Sequence, residues 1–329
     1  MPGHTIGVDL GGTSLRAAVI EAATGRLFAV HKCPTPNRAG PLAVIAAICE
    51  LVNKAVSASG FTHDQIGGVG VGIPGLVDLD RGLALLLPNI PGDWPNIPLR
   101  DNLQQELPWP VHLINDVRAM TLAEWTFGAG RGADTIACYA IGTGIGGGVV
   151  INGRLHLGIS GSAGELGHQV VEMNGLPCNC GGRGCLEMYA CGPAIATRAA
   201  QAVIQRRPTS MGERVNYDLN RINVELVLQA ALDGDRIARD IFEQAGVYIG
   251  MAVANTLLTI SPRKVVFGGG VSAAGDLLLD AVRRTVRERV FLMPAGQVDI
   301  CLAELGGDAG LIGAALWATT NSQSPNLRE

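Results

Sequence analysis

The chain has 329 residues, of which 47% are hydrophobic and 16% charged, with a formal net charge of −4. This length is enough for two domains, and the composition excludes an intrinsically disordered chain. The mildly acidic charge lacks the basic surface of a general nucleic-acid binder, so we expect no nucleic-acid partner. Glycine is abundant, at 45 residues, about twice its usual share of roughly 7%. We expect these glycines where the backbone bends or approaches a ligand closely.

The first residues enter a predicted strand at once and lack the basic and apolar segments of a signal peptide. No apolar run approaches the roughly 18 residues of a membrane span, so we expect no membrane association. These features predict a cytoplasmic protein. The eight cysteines are then poor disulfide candidates, and a tight group of three indicates a metal site.

The hydrophobic periodicity predicts alternating strands and helices. Strands are predicted at residues 6–9, 15–20, 27–32, 69–73, 111–115, 135–141, 149–152 and 264–267, and helices at 41–59, 117–127, 223–233, 236–259, 276–289 and 310–318. Residues 10–14 and 142–148 are predicted as glycine turns between strands, and residues 208–220 as a surface loop. The repeated strand–glycine loop–strand pattern predicts two related α/β domains. We place them at residues 1–117, completed by a C-terminal helix at 307–320, and at residues 118–306, which include the metal site.

Three glycine loops are candidates for binding a nucleotide. Backbone N–H groups in such loops can hold phosphate oxygens because no Cβ keeps the ligand away. The candidate residues are Asp9, Gly11, Gly12 and Thr13 in the first loop, Gly142, Thr143, Gly144 and Gly146 in the second, and Gly268, Gly269 and Gly270 in the third. Asp9 could also hold Mg²⁺ through water, and the third loop suits an adenosine or ribose contact. The alternative for each loop is a plain turn.

Four residues have the spacing of a zinc site: His168, Cys178, Cys180 and Cys185. Four nitrogen and sulfur ligands suit tetrahedral Zn²⁺, and a fully protein-filled shell indicates a structural ion. The other cysteines are scattered and are expected to act as small buried hydrophobic residues.

Asn115 and Asp116 follow a predicted strand, where α/β proteins place catalytic groups. Asp116 could accept the proton of a sugar hydroxyl that attacks phosphate. It could instead cap the helix that follows. Glu165 and Glu187 lie on either side of the zinc residues. Their carboxylates could accept hydrogen bonds from sugar hydroxyls or could be solvated surface charges.

Together these motifs resemble the ROK family of repressors, open reading frames and kinases. The resemblance is carried, in order, by Asp9-x-Gly-Gly-Thr13, Gly72-Ile-Pro-Gly75, Asn115-Asp116, Gly142-Thr-Gly-x-Gly-Gly147, Gly164-Glu-x-Gly-His168 and Cys178-x-Cys-Gly-x-x-Gly-Cys-x-Glu187. It implies a two-domain, actin-like (RNase H-like) fold with ATP in the cleft, a homodimer or homotetramer, and Asp116 as the base toward the 6-hydroxyl of a hexose. It also implies sugar contacts from Gly75, Asn89, Asn115, Asp116, Glu165, His168 and Glu187, with His168 shared between zinc and sugar.

Within the family, the early first glycine loop and the complete catalytic set favour a kinase over a repressor. The stretch from Asn89 to Trp94 resembles bacterial glucokinases, although Asp93 precedes Trp94 where many of them place Trp directly after Gly. The expected reaction is ATP-dependent phosphorylation of glucose with Mg²⁺ and a structural Zn²⁺. Kinases of N-acetylglucosamine, N-acetylmannosamine or fructose remain alternatives, as does polyphosphate as the donor. The alternatives outside the kinases are a non-catalytic sugar sensor and a zinc-dependent hydrolase.

Overall fold

The computed structural model describes residues 3–88 and 90–323, with only the backbone given for residues 321–323. The predicted sugar contact Asn89 lies outside the described residues. The strands are β1 His4–Leu10, β2 Ser14–Glu21, β3 Leu27–Pro34, β4 Ile66–Ile73, β5 Leu76–Asp78, β6 Leu83–Leu86, β7 Val111–Asn115, β8 Ile136–Ile141, β9 Ile145–Ile151, β10 Arg154–Leu155, β11 Lys264–Gly268 and β12 Asp299–Leu302. The helices are α1 Pro41–Ser59, α2 Leu99–Glu106, α3 Asp116–Thr126, α4 Glu187–Ala190, α5 Gly192–Ile204, α6 Met211–Arg214, α7 Val224–Leu232, α8 Arg236–Ile260, α9 Asp276–Arg289 and α10 Ala309–Gln323.

Two five-stranded sheets have matching strand arrangements. Their orders are β3-β2-β1-β4-β7 and β10-β9-β8-β11-β12. In the first, β1 pairs antiparallel with β2 and parallel with β4. In the second, β8 pairs antiparallel with β9 and parallel with β11. Each sheet therefore combines a hairpin with parallel strands whose carboxyl ends lie at one edge, and the predicted α/β class is confirmed.

The chain divides into two compact units. Among the described residues, the first unit contains residues 3–132, 155–164 and 304–323, and the second contains residues 133–154 and 165–303. Each unit has its own hydrophobic core, centred on residues such as Val8, Val71 and Trp94 in the first and Tyr139, Phe242 and Phe267 in the second. The domain limits predicted from the sequence stay a prediction.

The C-terminal helix α10 belongs to the first unit, where its backbone lies directly on the sheet. A Cβ added to Gly70 in β4 would clash with the carbonyl oxygen of Ala314, and one added to Gly7 in β1 would clash with that of Leu311. Glycine in these strands therefore allows a close helix–sheet contact that a larger residue would prevent.

Two helices, α1 and α8, are long and apolar enough to span a membrane by length and composition alone. The prediction that the sequence contains no such run was therefore wrong. In α8, 61% of the most apolar window is buried inside the protein, as in the core helix of a soluble protein. Its apolar composition is explained by a broad buried face that includes Phe242 and Ile249.

Several elements differ from the sequence prediction. The second glycine turn is confined to residues 142–144, because Gly146 and its neighbours lie inside β9. The predicted loop at residues 208–220 contains the short helix α6. Helix α5 was not predicted, since its Gly192-Pro193 start is typical of a turn, yet proline is well suited to the first turn of a helix.

Candidate functional site

Asn115 caps helix α3, and Asp116 Oδ1 shares only one of the capped groups, the Val117 N–H, at 2.9 Å. The Asn115 Oδ1 atom accepts hydrogen bonds from the backbone N–H groups of Val117 at 3.0 Å and Arg118 at 3.2 Å. Its Nδ2 atom donates to the carbonyl oxygen of Gly75 at 3.1 Å. The buried Asn115 side chain therefore ties the start of α3 to the segment after β4. The same Nδ2 atom also donates to the carbonyl oxygen of Ile73, at the end of β4, at 3.5 Å.

Asp116 is the first residue of α3 and has an unusual protonation equilibrium. The pKa of its carboxyl is raised from 3.8 to about 7: burial is the largest cause, the charge of Asp9 adds to the shift, and the backbone N–H of Val117 opposes it. Desolvation disfavours the charged carboxylate, and a second nearby carboxylate adds to that effect. A carboxyl poised near pH 7 is suited to general-base catalysis.

Asp9 and Asp116 lie near each other because the strands that lead to them end at the same edge of the first sheet. In the register of the sheet, Asp9 pairs with Gly72 and Ile73 pairs with Asn115. The glycine between the two acidic positions has no side chain to separate them. Burial raises the pKa of Asp9, while the nearby Arg16 guanidinium lowers it. Two carboxyl groups at one strand edge could hold a divalent cation.

Two residues that the sequence analysis missed hold the first glycine loop. Thr35 Oγ1 donates to the carbonyl oxygen of Gly11 at 2.7 Å, and Asn37 Nδ2 donates to that of Gly12 at 2.7 Å. These bonds fix the carbonyl groups of both glycines in the loop. The Thr-Pro-Asn stretch just after β3 could have indicated these contacts, because threonine and asparagine side chains often form hydrogen bonds with neighbouring backbone groups.

Gly75 occupies a position that requires glycine. Its φ is 82°, in the left-handed region that glycine adopts readily. A Cβ there would also clash with the carbonyl oxygen of Leu86. Gly75 thus receives the Asn115 amide and connects β4 with the small β5–β6 hairpin.

In the second unit, Glu187 contacts the second glycine loop directly. Its Oε2 atom accepts a hydrogen bond from the backbone N–H of Ile145 at 2.8 Å. The backbone N–H of Gly192 donates to the carbonyl oxygen of Gly142 at 2.8 Å. Of the four predicted nucleotide contacts here, Gly142, Thr143 and Gly144 form the turn, whereas Gly146 lies in strand β9.

The third glycine loop lies against the same strand ends. Gly268 ends β11, which pairs parallel with β8 so that Gly268 is opposite Ala140. Gly269 has a φ of 84°, and a Cβ on it would clash with the backbone of Ile141. A Cβ on Gly270 would meet no described atom within 4 Å. The loop therefore needs glycine at Gly269 to approach the strand that leads into the second loop.

The four predicted metal ligands are assembled in one cluster. The donor atoms of His168, Cys178, Cys180 and Cys185 all lie within 4.8 Å of one another. Cys178 Sγ is 3.7 Å from His168 Nδ1, and Cys180 Sγ is 3.7 Å from Cys185 Sγ. Ligands at about 2.0–2.3 Å from a tetrahedral Zn²⁺ are separated from one another by about 3.3–3.8 Å. The residues present therefore fit zinc.

The backbone around the cluster explains this assembly. The Cys178 N–H donates to the carbonyl oxygen of Gly182 at 2.9 Å, and Val170 and Cys185 form an isolated β-bridge. Tyr189 Oη accepts a hydrogen bond from the N–H of Leu176 at 2.7 Å.

The orientation of the His168 ring leaves one nitrogen for a ligand. With Nδ1 of His168 facing the sulfur atoms, Nε2 is the ring nitrogen left for another partner. Glu165 begins the turn that carries His168, whose N–H donates to the Glu165 carbonyl oxygen at 3.1 Å.

The predicted site residues fall into one group in each unit. The first unit brings together Asp9, the first glycine loop, Gly75, Asn115 and Asp116. The second unit brings together the second and third loops, Glu187 and the zinc ligands, with Glu165 on the segment leading to His168.

The comparisons with known proteins agree with the motifs. A family model described as the ROK family matches residues 5–321. The glucokinase of Thermotoga maritima is 36% identical over 310 residues, covering 94% of this chain and 95% of that enzyme. The structure of a ROK family glucokinase from Streptomyces griseus, in complex with glucose and AMPPNP, matches with a TM-score of 0.81 and 36% identity, covering 97% of this chain and 100% of that one. The xylose repressor of Caldicellulosiruptor bescii is 30% identical over 274 residues, covering 82% of this chain and 67% of the repressor.

Proposed function

The chain belongs to the ROK family, and on that premise we propose that it transfers the γ-phosphate of ATP to the 6-hydroxyl of glucose. Its two-domain fold is that of the actin-like sugar kinases. The observation that carries the proposal is the state of Asp116: Asn115 caps the helix in its place, and burial raises its pKa to about 7. A group with these properties can act as a base near neutral pH.

In the proposed reaction, Asp116 accepts the proton of the glucose 6-hydroxyl as that oxygen attacks the γ-phosphorus. The bond from phosphorus to the bridging oxygen breaks, and ADP leaves. Since phosphoryl transfer depends mainly on positioning and charge stabilisation, the glycine-loop N–H groups would hold the phosphates. Asp9 would hold Mg²⁺ through water, and the ion would neutralise phosphate charge when bound.

We assign a structural role to zinc at His168, Cys178, Cys180 and Cys185, because these four donors match a closed tetrahedral shell. The sugar would be held by Gly75, Asn89, Asn115, Glu165, His168 and Glu187. With Nδ1 toward zinc, the His168 ring would be fixed so that Nε2 meets a sugar hydroxyl. We further propose a cytoplasmic enzyme that assembles as a homodimer or homotetramer.

A panel of hexoses with a coupled ADP assay tests the proposal. Glucose should give the highest kcat/KM with ATP, above fructose, N-acetylglucosamine and N-acetylmannosamine, and polyphosphate should not replace ATP. Asp116→Asn should lower kcat by about 10²–10⁴-fold while glucose binding persists. Glucose binding without ADP release in the unaltered protein would instead indicate a sugar-sensing regulator. A preferred N-acetylhexosamine or fructose would move the assignment to that sugar.

A further inference from the structure

Glu187 and the second glycine loop fit together in a way that phosphate binding does not explain. Glu187 Oε2 accepts the hydrogen bond from the Ile145 N–H at 2.8 Å. A Cβ added to Gly144 would overlap that same oxygen atom. A side chain at position 144 and the observed position of the Glu187 carboxylate therefore exclude each other.

The segment that carries Glu187 is fixed at both ends. Cys185, two residues earlier, belongs to the predicted zinc cluster. Five residues later, the Gly192 N–H donates to the carbonyl oxygen of Gly142. The path from the zinc cluster to α5 thus lies on the glycine loop, so the backbone of Glu187 is held in place and a bulkier loop would have to displace its carboxylate from the observed position.

We propose that Gly144 is a positioning residue for the sugar site, in addition to its expected contact with nucleotide. Its missing side chain lets Glu187 rest on the loop, with Oε2 held by Ile145 and Oε1 left for a sugar hydroxyl. This inference rests on the proposed function, which assigns Glu187 to the sugar. Because one carboxylate meets both the loop and the sugar, binding of nucleotide and of sugar should be coupled, and the coupling should be reciprocal.

The test is glucose binding by calorimetry with no nucleotide present, in Gly144→Ala and in its matched control Gly142→Ala. A Cβ on Gly142 would meet no described atom within 4 Å, and its φ is not in the left-handed region. Both glycines lie in the same predicted phosphate loop, so a purely nucleotide role predicts unchanged glucose affinity for both. We expect Gly144→Ala to weaken glucose binding by at least about tenfold, the loss of one hydrogen bond to a charged group. Gly142→Ala should stay within about twofold of the unaltered protein.

Unchanged glucose affinity in Gly144→Ala would overturn the inference, and so would equal losses in both variants. The unaltered protein serves as a separate check on the proposed function. If it does not bind glucose, that assignment fails, and the comparison is made with the hexose it phosphorylates best. Failure to bind any hexose would overturn both.

A second variant decides the matter if Gly144→Ala does not fold. Glu187→Ala removes the acceptor without adding bulk to the loop. Hydrogen exchange should show at least about tenfold less protection of the Ile145 N–H, while the Val150 N–H further along β9 keeps its protection. The KM for ATP should rise as well, although Glu187 is assigned to sugar. Unchanged protection at Ile145 would contradict the proposal.

Discussion

At the scale of single residues, the protonation of Asp116 makes a prediction about pH. Its folded-state pKa is about 7, above the ordinary value of 3.8, mainly because of burial. Only the ionised carboxylate can accept the sugar proton, so kcat/KM should rise with pH up to about 7 and then level off. A pH–rate profile between pH 5 and 9 measures this. A profile that is flat from pH 5 upward would contradict the raised pKa.

The raised pKa of Asp116 also makes the free energy of unfolding depend on pH. This dependence provides an independent check on the pH–rate profile. Between about pH 4 and 7 the folded carboxyl keeps a proton that the unfolded chain has lost, so its contribution to stability falls as pH rises through that window. Asp116→Asn removes the titrating carboxyl and with it this loss of stability at higher pH. The variant should therefore gain melting temperature over the unaltered protein at pH 8, and the gain should shrink toward pH 5.

Residue roles were predictable from the sequence where spacing alone restricts the chemistry. The His168 and cysteine spacing predicted a cluster that the folded chain assembles. The choice between cap and base at Asp116 was not predictable, because Asn115 and Asp116 are both good caps and only the backbone geometry shows which one is used. The Glu187 contact with Ile145 joins residues 42 positions apart, and no local pattern encodes it.

At the scale of elements, helix α3 depends on a buried acidic side chain at its end. Glu124 is fully buried. Its carboxylate accepts hydrogen bonds from the N–H groups of Ala129 at 2.9 Å, Glu304 at 3.1 Å and Leu305 at 2.8 Å. These bonds join α3 to the segment leading into α10. Because α3 presents Asp116 at its other end, we infer that Glu124 keeps the helix that carries Asp116 in place.

Glu124→Ala should therefore destabilise the protein by about 3–5 kcal/mol, since it takes this acceptor from the buried N–H of Ala129 and from the partly buried N–H groups of Glu304 and Leu305. Urea denaturation measures the loss. The matched control is Glu304→Ala, which removes an exposed side chain paired with Arg131 and should cost about 0–1 kcal/mol. Equal costs for the two variants would show that the buried carboxylate is not needed.

Elements were predictable where periodicity is strong and the ends are marked. Helix α1 was predicted with its observed limits because Pro41 suits the start and Gly60 ends it in the left-handed region, with a φ of 76°. The glycines of β9 were assigned to a turn because glycine is rare in strands. They lie in β9 because Gly146 and Gly147 pair with Ala140 and Tyr139 of β8, so the tertiary pairing overrides local preference.

At the scale of the whole molecule, the two units repeat one strand arrangement with different sequences. The glycine-loop pattern allowed this repeat to be predicted, because the loops follow the first strand of each sheet. The chain returns to the first unit at residues 155–164 and again after residue 303. These returns were harder to predict from the sequence. Such long-range grouping depends on which surfaces pack, as where Gly313 of α10 meets the backbone of Ala119 in α3.

Because the two units have separate cores, we expect loss of zinc to destabilise mainly the second unit. The zinc cluster lies in the second unit, which also contains every tyrosine: Tyr139, Tyr189, Tyr217 and Tyr248. The first unit contains every tryptophan: Trp94, Trp109, Trp125 and Trp317. Bound metal stabilises only the state that holds it, by about 4 kcal/mol at a thousandfold excess over its Kd. Chelation should therefore lower the thermal transition seen by tyrosine second-derivative absorbance more than the one seen by tryptophan fluorescence.

Cys180→Ser should reproduce this separation without a chelator, because it removes one zinc ligand. Zinc content should fall, the tyrosine transition should move to lower temperature, and the loss of activity should follow. Cys33→Ser is the matched control: it changes a cysteine of β3 in the first unit and should leave zinc content and the tyrosine transition unchanged. If both transitions instead coincide and move together at every zinc content, the molecule unfolds as one cooperative unit. Full activity in zinc-free protein would remove the structural role of the metal.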